Sequence, residues 1–160
     1  MQVSVERFSV ISKKSFGEVT KALEGSIGHP DMRTFESDIM TAKSFADVEN
    51  FIAGVTGKSG LMQFMRFNLG GVVQKECVKA SQSFRYLIGN PLVMKRMVEN
   101  VPDAGSYAPV TVLVDERPEG VTLSYDRMSS FLASYQNEQA LTVARELDAK
   151  IEAILTKAAS

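Results

Sequence analysis

The spacing of apolar and polar residues near the N-terminus predicts a strand followed by a helix. Residues 3–10 alternate between the two classes apart from a slip at Arg7, which predicts a half-buried strand with a bulge. Beyond a short turn, Ser15 and Glu18 form the S-x-x-E pattern of a capping box, and apolar residues then recur at helical spacing. Gly25 opens the glycine-containing segment that ends this helix.

The middle of the chain predicts a second helix and a strand. Residues 30–43 are irregular, typical of a loop with one short helical or extended turn. Ser44 repeats the capping arrangement before an apolar stripe over 45–55, and residues 61–69 alternate as in a strand covered on much of both faces. After a bend at two glycines, we expect residues 72–80 to continue as a strand into a hairpin.

The C-terminal half predicts three further strands and two helices. Residues 83–88 alternate as a strand, so that neighbouring side chains point to opposite faces. Asn90 followed by proline is a strong helix start. Residues 110–114 and 121–125 form a predicted hairpin, and a wide apolar stripe beyond Asn137 predicts a long terminal helix.

The order of these elements favours an α+β fold in two layers. We expect a mostly antiparallel sheet covered by helices on one face, with a long C-terminal helix and residues 1–160 in a single domain. The terminal helix either covers the sheet or meets its own copy across a two-fold axis.

Composition narrows the class of protein. Eighteen Lys and Arg against 19 Asp and Glu leave a net charge of −1 in 160 residues, with no basic stripe to bind a nucleic acid. No apolar stretch approaches the roughly 20 residues of a membrane-spanning helix. The N-terminus lacks the continuous apolar region of a signal peptide, and the chain has one cysteine, so we expect a cytoplasmic protein.

Four short motifs carry a family resemblance. They are RYLIGNP at 85–91, DAG at 103–105, YAP at 107–109 and LSYDR at 123–127. Together they resemble the family known as domain of unknown function 302. The resemblance implies a compact α+β domain with a helix-covered antiparallel sheet, commonly dimeric, without an established activity or a transferable catalytic residue.

The residues that most often carry chemistry are few. His29, the only histidine, has the chemistry of a general base or an axial haem ligand, but a residue of a surface turn is the favoured interpretation. One His and one Cys are too few for a structural zinc site. No local nucleophile signature surrounds Cys77, and no phosphate-loop, dinucleotide-binding or hydrolase motif occurs. We therefore expect no catalytic activity and assign no cofactor.

The densest polar cluster lies at the end of the last predicted strand. Tyr125 can offer a hydroxyl to a pocket and Asp126 can orient a ligand, although a turn in which Asp126 caps the next segment is the favoured interpretation. Arg85 and Tyr86 point to opposite faces of the neighbouring strand, so only one of them can join such a site. The candidate ligand-binding residues are His29, Arg85, Tyr86, Tyr107, Ser124, Tyr125, Asp126, Arg127 and Ser129.

Eight methionines and nine phenylalanines without a tryptophan suggest a deformable apolar pocket, although such residues also fill irregular cores. The residues considered for this pocket are Met32, Met40, Met62, Phe64, Met65, Met94 and Met97. The leading hypothesis is a homodimer that binds a small apolar or amphipathic molecule between its sheet and helices. The alternatives are a haem protein or enzyme that uses His29, and an interaction subunit whose terminal helix docks on another protein.

Overall fold

A computed structural model describes residues 1–73 and 81–160. The strands are β1 (Arg7–Ser12), β2 (Met62–Asn68), β3 (Ser83–Gly89), β4 (Val110–Arg117) and β5 (Gly120–Asp126). The helices are α1 (Phe16–Glu24), α2 (Phe35–Met40), α3 (Phe45–Val55), α4 (Gly70–Val73), α5 (Pro91–Val98), α6 (Met128–Leu132) and α7 (Glu138–Ala159), with 3-10 turns at Pro102–Ser106 and Ala133–Tyr135. None of the described helices is both long enough and apolar enough to cross a membrane.

The five strands form one antiparallel sheet in the order β1-β5-β4-β3-β2. Side chains on one face, the helix face, pack against α1, α5 and α7 in the main core. The buried strand residues of that face are Tyr86, Ile88, Val110, Val112, Val114, Val121, Leu123 and Tyr125. The apolar stripe of α7 lies in the same core, so the terminal helix covers the sheet and the predicted two-layer α+β architecture is confirmed.

Side-chain caps begin the helices where the sequence predicts them. Ser15 and Glu18 complete the capping box of α1, and the Ser44 hydroxyl accepts the Asp47 amide at the start of α3. Asn90 likewise accepts an amide at the start of α5, as does Asn137 at the start of α7. These caps satisfy amides that have no partner within the helix.

Local predictions are wrong at four points. The strand predicted to be covered on much of both faces, β2, is exposed over its last four residues. The first strand begins at Arg7 and pairs with β5 in continuous register, while the bulge lies in β2 between Gln63 and Met65. The predicted strand after the two glycines is instead the short helix α4, because the Asn68 side chain accepts the Gly71 amide at 2.8 Å and starts a helical turn. The rest of that predicted segment, residues 74–80 with Cys77, lies outside the described residues.

The opposite side of the sheet, the open face, carries the remaining strand residues in rows set by the register. One row is Arg7, Asp126, Thr111, Leu87 and Met65, and the next is Ser9, Ser124, Leu113, Arg85 and Phe67. Most of these side chains are exposed or half-buried. The open face therefore mixes charged, hydroxyl and apolar groups within reach of solvent.

Candidate functional site

Two adjoining hollows on the open face form a groove, called here the sheet groove. Their volumes are about 260 and 460 Å³, and both are bordered by Arg85, Thr111 and Asp126. Leu113 and Leu87 contribute apolar surface to the smaller and the larger hollow, respectively. The groove combines a polar centre with apolar walls.

Two arginines of the sheet groove differ in their partners. Arg7 donates to both carboxylate oxygens of Asp126, at 2.6 and 2.8 Å, and this pairing raises the pKa of the guanidinium. Arg85 lies 3.4 Å from the Thr111 hydroxyl and 5.9 Å from the centre of the Phe67 ring. Within residues 1–73 and 81–160 it forms no ion pair. Its guanidinium is therefore the cation of the groove most available to an anion.

An aromatic pair forms one wall of the larger hollow. The Tyr107 ring stacks on Phe131 with centroids 4.7 Å apart and planes inclined by 16°. The Tyr135 hydroxyl donates to Asp103 at 3.0 Å, so the Tyr107 hydroxyl donates to Tyr135 across 2.9 Å. These hydrogen bonds raise the pKa of Tyr135. Tyr107 thus offers the groove an aromatic surface, because its hydroxyl is already bonded.

Tyr125 borders the groove, but its hydroxyl is directed into the helix face. It donates to the buried Asp148 carboxylate of α7, which also accepts the amides of Met128 and Ser129 at 2.8 and 3.1 Å. Burial and the Asp148 carboxylate raise the pKa of Tyr125. This network attaches the first turn of α6 to both the sheet and α7.

Tyr86 lies on the helix face, opposite Arg85. Its hydroxyl donates to Glu24 at 2.9 Å, and Arg66 pairs with the same carboxylate at 2.9 Å. Burial, with this hydrogen bond, raises the pKa of Tyr86. The guanidinium of Arg66 also lies 4.6 Å from the centre of the Phe84 ring. This cluster holds α1 against the sheet.

The remaining candidates lie away from the groove. Arg127 pairs with Glu152 at 2.7 Å and with Glu6 at 3.2 Å, and these carboxylates raise its pKa. His29 lies beyond the end of α1, with its Nε2 atom 2.8 Å from the Glu24 carbonyl oxygen. Among the described residues, no group of three His, Cys, Asp or Glu side chains could hold a metal ion.

The structure thus divides the nine candidates. Arg85, Tyr107, Ser124, Tyr125 and Asp126 border the sheet groove, whereas His29, Tyr86, Arg127 and Ser129 do not. Sequence reasoning missed Arg7, Leu87, Thr111, Leu113 and Phe131. For Arg7 a signal existed, because an arginine on one strand and an aspartate on another can pair across a sheet.

A third hollow lies beside the groove and has a different character. This apolar cleft, of about 260 Å³, is bordered chiefly by Phe35 and Ile39 of α2, Phe64 of β2, Met94 of α5 and Pro109. Of the methionines considered from the sequence, Met94 borders the cleft. Met62 and Met97 are fully buried, while Met32, Met40 and Met65 are exposed.

The structure defines a class of fold, a helix-covered antiparallel sheet, here with a groove of mixed polar and apolar residues on its open face. The family model described as Domain of unknown function DUF302 matches residues 37–158, and the chain belongs to this family. The fold resembles the crystal structure of an uncharacterized conserved protein DUF302 from Bacillus stearothermophilus, with a TM-score of 0.67 and 11% identity over 95% of this chain and 97% of that chain. No curated protein matches the chain.

Proposed function

We propose that this protein binds a small amphipathic molecule in the sheet groove, with Arg85 as the contact for an anionic group. The observation that carries the proposal is the position of Arg85, which borders both hollows and forms no ion pair within the described residues. An arginine guanidinium presents a planar set of donors that fits a carboxylate in two parallel hydrogen bonds.

The surroundings of Arg85 support an amphipathic ligand over a purely polar one. Leu113 of β4 lies directly opposite Arg85 in the sheet, and Leu87 lies two residues further along β3 on the same face. The stacked rings of Tyr107 and Phe131 extend the apolar surface of the larger hollow. A ligand with an anionic head and an apolar body therefore satisfies both kinds of surface at once.

Calorimetric titration of the purified protein tests this proposal with ligands that share one tail. We expect decanoate to bind at least tenfold more tightly than decan-1-ol or decyltrimethylammonium, because a charged hydrogen-bonded pair contributes about 1.5–3 kcal/mol. Arg85→Gln should abolish that preference, and Arg33→Gln, which changes an arginine outside the groove, should preserve it. Equal binding of the three ligands, or a preference that survives Arg85→Gln, would overturn the proposal.

We further propose that the chain acts as a cytoplasmic homodimer built from one domain over residues 1–160. The exposed apolar side chains of Met65 and Phe67, 48% and 40% accessible at the β2 edge, support an interface between copies. Analytical ultracentrifugation should give twice the chain mass, and Phe67→Lys should shift the protein toward monomer. A monomer at every protein concentration contradicts this part of the proposal.

A further inference from the structure

The apolar cleft has the chemistry of a hydrocarbon site. Phe35, Ile39, Phe64 and Met94 supply its walls, and Asn90 is a polar residue at its border. Both ends of the Asn90 side chain are already engaged, since it accepts the Leu92 amide and donates to the Gly60 carbonyl, each at 2.8 Å. The Asn90 side chain is therefore already bonded within the protein, and the cleft offers a ligand mainly apolar contacts.

The cleft lies directly beside the sheet groove. Ala108 and Pro109 border both the cleft and the larger hollow. On the open face, β3 runs from Arg85 past Leu87 to Gly89, a distance of about 13 Å at 3.3 Å per residue. Gly89 itself is buried beneath Pro109 and Phe64, which lie 3.4 and 3.5 Å from where a side chain would begin, so the two hollows adjoin over Ala108 and Pro109.

We infer that the apolar cleft receives the tail of the ligand whose anionic head binds Arg85, and that the ligand class is a single-chain aliphatic carboxylate. This inference rests on the proposed function and adds the direction and chemistry of the tail. A flexible chain can follow the open face past Leu87 and cross Ala108 and Pro109 before it enters the cleft. Methionine at position 94 suits such a guest, because its unbranched side chain adapts to the shape of its neighbours.

A series of carboxylates of increasing length tests where the tail lies. We expect NMR titrations with hexanoate, octanoate, decanoate and dodecanoate to show an affinity gain of about fourfold for each buried methylene. The gain should stop once the cleft is full. In the decanoate complex, the terminal methyl group should give nuclear Overhauser effects to the Met94 methyl group.

Variants that fill the cleft provide the matched comparison. Ile39→Trp should weaken decanoate binding at least tenfold and leave hexanoate binding within twofold, because the shorter chain reaches less of the cleft. Met40→Trp is the control, since Met40 is the next residue of α2 and is 77% exposed. Met94→Trp fills the same cleft from α5 and replaces Ile39→Trp in this test if that variant does not fold.

The outcomes separate this inference from the proposed function. If no carboxylate binds in an Arg85-dependent manner, the proposed function fails. If binding depends on Arg85 but neither tail length nor the filling variants change it, the groove remains a site and the tail assignment is wrong. The proposed function and the tail assignment are both supported if binding depends on Arg85, grows with tail length, and is lost in Ile39→Trp but not in Met40→Trp.

Discussion

The two faces of the sheet are built from the same strands, but their polar side chains differ in burial and in hydrogen bonding. On the helix face, the hydroxyls of Tyr86 and Tyr125 are bonded to the carboxylates of Glu24 and Asp148. On the open face, Arg85, the immediate neighbour of Tyr86, is exposed and forms no ion pair within the described residues. Alternation along one strand thus gives stability to one face and available chemistry to the other.

The difference follows from the cost of burial. A buried polar group without a partner loses its hydration uncompensated, so the helix face keeps the phenol of Tyr125 only with Asp148 and the amide of Met128 around it. Solvent around exposed side chains of the open face, such as Arg85, removes that requirement. Residues there can be kept for contacts with another molecule at little cost in folding free energy.

Two leucine truncations give the sharpest contrast between the faces. Leu123 is fully buried on the helix face, so Leu123→Ala should lower the free energy of unfolding by about 3 kcal/mol. Leu113 is half-buried on the open face, and Leu113→Ala should lower it by less than about 1 kcal/mol. Urea denaturation measures both. Equal losses would mean that the open face is packed as tightly as the core.

Removal of the buried carboxylate tests how far the helix face depends on its polar network. Asp148→Asn should cost about 2 kcal/mol, because an amide cannot accept from Tyr125, Met128 and Ser129 as the carboxylate does. Thermal denaturation followed by circular dichroism measures the change. Glu146→Gln, on the exposed surface of the same helix, is the control, and an equal effect in both variants would contradict the role given to Asp148.

The raised pKa of Tyr125 predicts a loss of stability in alkaline solution. The unfolded chain ionises this tyrosine near its ordinary value of 10.0, whereas the folded protein keeps it neutral to higher pH. The contribution is therefore complete below pH 10 and is lost above it, by up to about 1.4 kcal/mol per pH unit. Denaturation at several pH values should show a shallower decline for Tyr125→Phe than for the wild type. Identical slopes would contradict the assignment.

The smallest expected effect belongs to Arg85. Arg85→Gln should change the free energy of unfolding by less than about 0.5 kcal/mol, because the exposed side chain has no ion-pair partner to lose within the described residues. Chemical denaturation of the variant beside the wild type measures this. A loss above about 1 kcal/mol would mean that Arg85 stabilises the fold and is not available to a ligand.

The sequence predicts most of the elements but only part of the groove. Caps such as Ser15 and Asn90 can be recognised because their hydrogen bonds span at most three residues. The role of Asp148 could not be predicted, since it depends on α7 crossing α6 and β5 at one place. The groove likewise needs the pairing of β3 with β4, which brings Arg85 beside Leu113, and no local spacing encodes that register.

The bulge in β2 has a consequence for behaviour in concentrated solution. An intact outer strand exposes a regular ladder of amides and carbonyls on which a foreign chain can polymerise. At Phe64 the ladder is out of step by one residue, so an incoming strand that matches one half of β2 misses the other. The bulge therefore makes β2 a poor template for the addition of a foreign strand.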